Sequence, residues 1–177
     1  MPVVFPILAP IDQFILEHPV SPVLCILLPL LLCVCYPKRD GWTTTWADTC
    51  IILGCAAGVG LGQWFNNQWV FIKRPHTPPP YPIIMPDVKW LFLVIFRLVV
   101  GAFILMLTRA VAKKVTFKVM CHLTGMNEQD PRAQQTPTIQ VMQKYITYTL
   151  VALSAVVVAP QVFKLLAVER VTFFTEG

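Results

Sequence analysis

Three histidines, His18, His76 and His122, are the imidazoles in this chain that could serve as nucleophile or general base. None stands in a pattern that would make it one. There is no H-E-x-x-H pair on a helix, no G-x-S-x-G elbow and no phosphate-cradling glycine loop. The nine acidic residues are scattered, and no nucleophile is paired with a base at recognisable spacing. Six cysteines, Cys25, Cys33, Cys35, Cys50, Cys55 and Cys121, include no C-x-x-C and fit no zinc spacing. They read as small membrane-core residues, with Cys33 and Cys35 also placed for S-acylation near a boundary. The expectation from the residues is no catalytic, cofactor-binding or metal site.

Charge inside apolar sequence is the stronger pointer. Trp90–Lys114 reads as a membrane helix, yet Arg97 lies within it. A guanidinium facing lipid costs at least ~2.5–3.5 kcal/mol. Arg97 is therefore expected to face the bundle interior, a polar cavity, an acidic partner or an anionic headgroup. Asp48 and Asp87 are the candidate partners.

The segments that would position these groups follow from composition. The chain has 177 residues, 56% hydrophobic and 13% charged, with a mean hydropathy of +0.65. Soluble domains carry about 25% charged residues, so the class is an all-α, multi-pass transmembrane helical bundle. Four spans are expected at Val20–Tyr36, Thr49–Phe65, Lys89–Thr108 and Tyr145–Leu166, with Pro29 kinking the first and Pro160 near the end of the last. Residues 1–19 read as the tail of a preceding membrane helix and a connector, where Pro2, Pro6 and Pro10 argue against a clean helix. Residues 20–170 form the bundle and 171–177 a short tail. A polyproline-like connector follows the second span over Asn66–Asp87. Trp64, Trp69, Trp90 and Tyr81 suit the membrane–water boundary. An interfacial helix is expected around Lys114–Leu123.

Gly54, Gly58 and Gly62 fall at i, i+4 and i+8. They form a candidate packing face, for another helix of the bundle or for a partner helix. The net charge of +5 lies mostly at helix ends and in connectors, which disfavours nucleic acid. Membrane lipids are the expected partners. Eight cations in and beside the first and third connectors against five on the other side favour a cytoplasmic placement for those two connectors.

Four stretches carry a family resemblance: DGWTTTWADTCIILGCAAGVGLGQWFN, PPPYPI, FRLVVGAFILMLTRAVAKKVT and KYITYTLVALSAVVVAP. Over roughly Ile11–Glu169 the chain resembles the C-terminal part of sphingosine-1-phosphate phosphatases, of the type 2 phosphatidic acid phosphatase superfamily. The most specific matches are Trp42 with Asp48-Thr49, Arg97 with Gly101, Arg109 with Lys113-Lys114, and Tyr145–Tyr148. Trp46-Ala47 departs from the family, which tends to have Arg-Gly there. The resemblance implies an endoplasmic reticulum membrane protein of sphingolipid metabolism. It also implies a histidine nucleophile that forms a phospho-enzyme on sphingosine 1-phosphate, with lysine and arginine clamping the phosphate.

The family's three catalytic motifs are not matched. Arg74-Pro75 has Asn67, not lysine, seven residues before it, there is no Ser-x-His, and Thr108-Arg109 stands far from His122. The expectation is a membrane bundle that starts just after the last catalytic helix and is inactive alone. The resemblance places the N-terminus in the cytosol, against the charge count. Two other readings remain: a catalytically silent membrane protein that binds lipid or a full-length partner, and a small transporter or channel.

Overall fold

The computed structural model describes residues 5–35, 44–69, 88–127, 130 and 136–168. Every regular element among them is helical: α1 (Phe5–Glu17), α2 (Ser21–Val34), α3 (Thr44–Gln68), α4 (Val88–Thr124), α5 (Pro137–Leu153) and α6 (Ala159–Leu165). A π-helical turn, Ser154–Val158, joins α5 to α6. The result is an all-α membrane bundle.

Three continuous stretches are long and apolar enough to cross a bilayer: Thr45–Gln68, Val88–Thr124 and Pro137–Leu165. The first expected span is different. At 14 residues, α2 rises about 21 Å, short of a hydrocarbon core of about 30 Å. It is joined to α1 by a 110° bend, a broken span or a re-entrant pair. Contrary to the reading from its prolines, Phe5–Glu17 is helical with Pro10 inside it. Pro6 falls in the first turn, where a missing N–H costs nothing. Pro10 gives up one helical bond, less than lipid would exact from a bare extended backbone.

The interfacial helix expected around Lys114–Leu123 is not a separate element. It is the end of α4, which runs 37 residues without a break, about 55 Å. Its last turns are held by a small apolar cluster of Cys121 and Ile139 with Phe117 and Met120. That contact carries the helix past Lys113 and Lys114. The last span likewise begins at Pro137 rather than Tyr145.

The helices form a row in the order α2, α3, α5, α4, with the most extensive contact between α3 and α5. Gly54 lies on Tyr145, Gly58 on Thr149 and Gly62 on Val156, so α3 and α5 run parallel. Trp46 reaches Cys33 and Gly60 faces Cys25, so α2 runs against α3. Gln143 reaches Lys113 and Gly101 faces Phe163, so α4 runs against α5 and α6. One end of the bundle therefore gathers Cys33, Trp46, Asp48 and Lys113. The other gathers the α1–α2 bend, Asn66, Arg97 and Val168. No residue in the most apolar stretch of α4 is fully buried, as suits a flank that faces lipid on one side.

Candidate functional site

Several polar side chains of the bundle reach across to backbone carbonyls of a neighbouring helix. Pro160 has no N–H for the carbonyl four residues earlier. The π-helical turn lies in that register, and Asn66 Nδ2 donates to the Val156 carbonyl at 3.0 Å. Pro29 likewise deprives the Cys25 carbonyl of its donor. Beside it, Tyr145 Oη donates to the Ile26 carbonyl at 2.6 Å. The last carbonyls of α1 are orphaned by helix termination. Asn67 Nδ2 reaches Leu16 at 3.0 Å and Gln68 Nε2 reaches Glu17 at 3.5 Å. Trp64 Nε1 adds to the His18 carbonyl at 3.2 Å, which also accepts the Ser21 N–H at 3.0 Å. Ser21, fully buried, closes the bend through its hydroxyl on the Ile15 carbonyl at 2.6 Å.

The glycine face is spent within the chain. A Cβ on Gly58 would sit 2.3 Å from the Thr149 carbonyl oxygen and 2.7 Å from Ala152 Cβ; on Gly54, 2.7 Å from the Tyr145 oxygen; on Gly62, 2.9 Å from Val156 Cβ. Only hydrogen at these positions lets α5 approach this closely.

Arg97 and Asp48 are not brought together. Asp48 is exposed near the start of α3, and Arg97 lies near the other end of the bundle, on the order of 30 Å away along the axis. Half-buried, Arg97 turns its Nε–H to the Val168 carbonyl, just beyond α6. A cation there meets the negative end of the helix dipole and a carbonyl with no helical donor. Asp87, the other candidate partner, lies outside the described residues, as do Trp42, Tyr81 and the proline-rich connector beyond Trp69. Arg109 is exposed and its guanidinium stands 5.6 Å from the Tyr148 ring centroid. Two segments that carried the resemblance therefore pack on one another, with Gln143 Nε2 on the Lys113 carbonyl at 3.2 Å beside them.

Trp46 was missed as a structural residue. It is 4% exposed and donates its indole N–H to the Cys33 carbonyl at 2.9 Å, near the end of α2. Its cluster includes Cys33, Cys50, Ala57, Val141 and Tyr145. The signal was available: Trp46-Ala47 is where the resemblance in sequence breaks. Among the described residues no group of three or more metal-ligating side chains occurs. The histidines described, His18 and His122, lie at opposite ends of the bundle and both are exposed.

The chain is 31% identical to sphingosine-1-phosphate phosphatase 2 of Mus musculus over 160 residues, 88% of this chain and 45% of that protein. It is 31% identical to sphingosine-1-phosphate phosphatase 1 of Rattus norvegicus over 168 residues, 93% and 39% respectively. This chain is similar to the sphingosine-1-phosphate phosphatases. The human phosphatase 2 is 28% identical over 158 residues. The chain spans less than half the length of these curated relatives. No family model matches it, and no solved structure matches it.

Proposed function

We propose that this chain is the non-catalytic membrane bundle of a sphingosine-1-phosphate phosphatase, packing beside the helices that hydrolyse the phosphomonoester. The similarity over about nine-tenths of the chain, to both phosphatase types, supports this reading. The role of the bundle is mechanical. It holds a row of helices tied together by the side-chain bonds of Asn66, Tyr145 and Trp64 to backbone carbonyls of other segments, and so fixes a wall for the catalytic helices. The nucleophilic histidine, the proton-donating histidine and the phosphate-clamping lysine and arginine belong to the motifs that these residues do not match. The proposed compartment is the endoplasmic reticulum membrane, and the proposed substrate of the whole enzyme is a sphingoid-base phosphate.

The test is phosphate release from sphingosine 1-phosphate in detergent micelles. The 177 residues alone should release none above a blank. A longer chain from the same gene, carrying the three catalytic motifs, should release phosphate, and a substitution of its nucleophilic histidine should abolish that. Turnover by the 177 residues, or a longer chain without the motifs, would overturn the proposal.

A further inference from the structure

Where α1 turns into α2, the outer side of α1 carries an open groove of about 360 Å³ lined by Pro10, Gln13, Phe14, Glu17, His18 and Pro19. Its polar groups are organised. Gln13 Nε2 donates to Glu17 Oε2 at 3.1 Å, which restrains the carboxylate. His18 Nδ1 accepts the Val20 N–H at 3.2 Å, so the neutral ring carries its proton on Nε2 and can donate there. The Phe14 and His18 rings stack, with centroids 4.7 Å apart and planes at 25°. The groove thus offers a carboxylate and an aromatic face for a cation, and a ring N–H for an anion, within one turn of helix.

Its depth identifies the occupant. Trp64 donates to the His18 carbonyl, and Trp69 and Trp90 are exposed at the same end of the bundle. Indoles collect at the headgroup level of a bilayer. On the same helix Leu8 and Ile11 are exposed and apolar, so acyl chains have a surface to lie against. Headgroups are the charged molecules present at that level, and the layout matches one that carries both signs.

We propose that this groove binds the zwitterionic headgroup of a bilayer phospholipid, with its ammonium against Glu17 and Phe14 and its phosphate accepting from His18 Nε2. The proposal does not rest on the phosphatase reading. A carboxylate and an aromatic face acting on a quaternary ammonium are worth a few-fold in affinity at an exposed site.

The experiment is native mass spectrometry of the full chain, delipidated in detergent, titrated separately with dioleoylphosphatidylcholine and dioleoylphosphatidylglycerol. The parent should retain the choline lipid in preference. Glu17→Gln, an exposed and near-isosteric change, should cut that preference about threefold. Gln13→Ala, which frees the carboxylate, should cut it in the same direction by less. Melting temperature in the same detergent confirms that the variants are folded. A parent without preference, or a preference unchanged in both variants, would overturn the proposal.

Discussion

Asn66 and Val156 lie 90 residues apart in sequence, and the amide nitrogen of one donates to the carbonyl of the other at 3.0 Å. Val156 is the residue whose carbonyl Pro160 would have served, had Pro160 an N–H. A proline in α6's first turn and an asparagine near the end of α3 are thus two halves of one device. The π-helical turn Ser154–Val158 relieves the clash of the ring with the preceding turn. Asn66 then satisfies the backbone that the turn leaves open.

The coupling between them is measurable. Asn66→Ala should cost about 1 kcal/mol, since hydrogen bonds between membrane helices average near that or below. Pro160→Ala returns a helical N–H to this register. In the Pro160→Ala background the Asn66→Ala change should therefore cost less than half as much. A double-mutant cycle on detergent-solubilised protein, read by thermal or denaturant unfolding, checks this. Additive costs would mean that Asn66 acts elsewhere.

Glycine substitutions should rank by what an added methyl meets. Gly58→Ala drives a Cβ into the Thr149 backbone oxygen at 2.3 Å, and Gly54→Ala into the Tyr145 oxygen at 2.7 Å. Neither neighbour can rotate away, so each should cost about 1–3 kcal/mol, Gly58 the more. Gly60→Ala meets Cys25 Sγ at 3.0 Å, a side chain that can move, and should cost less. Gly101→Ala meets only Phe163 Cζ at 3.5 Å. There the gain in helix propensity, up to ~1 kcal/mol, should leave stability unchanged or raised. Melting temperatures of the four variants give the order directly.

Much of this was legible because membrane helices announce themselves through runs of apolar residues, and three of the four expected spans overlap helices long enough to cross. The Gly54/Gly58/Gly62 spacing was legible as a face, though the sequence did not say that α5 would be its partner. What stayed hidden depends on contacts between distant segments. Arg109, Lys113 and Lys114 interrupt the apolar run, so the third span was expected to end at Thr108 and a separate interfacial helix to follow. Tertiary packing of Phe117, Met120 and Cys121 on Ile139 keeps it helical. Three N-terminal prolines hid α1, whose carbonyl end is completed by Trp64, Asn67 and Gln68 from α3. Charge suggests countercharge, so Asp48 was a natural candidate for Arg97, but the fold sets the two near opposite ends of the bundle and Arg97 donates to a backbone carbonyl beyond a helix end.

That last contact sets a contrast between two arginines. Arg97 is half-buried with its Nε–H on Val168, while Arg109 is exposed beside Tyr148. Arg97→Leu leaves a terminal carbonyl unserved and should cost about 1–3 kcal/mol. Arg109→Leu forfeits an exposed cation–π contact, worth about 0.5–1 kcal/mol. Comparing the yield and melting temperature of the two variants decides it. Equal values would remove the structural role assigned to Arg97.

Trp46 offers the sharpest test of the packing at the start of α3, at the position where the resemblance implies arginine instead. Here the indole is 4% exposed, packs with Cys33, Cys50, Val141 and Tyr145, and serves the Cys33 carbonyl. Trp46→Arg would place a guanidinium in that apolar cluster, with no carboxylate on the cluster's residues to pair it. Trp46→Phe keeps the ring and loses only the N–H. The first should cost about 3–5 kcal/mol, the scale of an uncompensated buried charge. The second should cost about 1–2 kcal/mol. The ratio is informative beyond either value. If Trp46→Arg proved no worse than Trp46→Phe, the start of α3 would be open enough to hydrate a cation, and the packing of α2 on α3 through Trp46 would be wrong. Unfolding midpoints in one detergent, with Ala47→Gly as the companion change toward the family pair, are sufficient to separate the two outcomes.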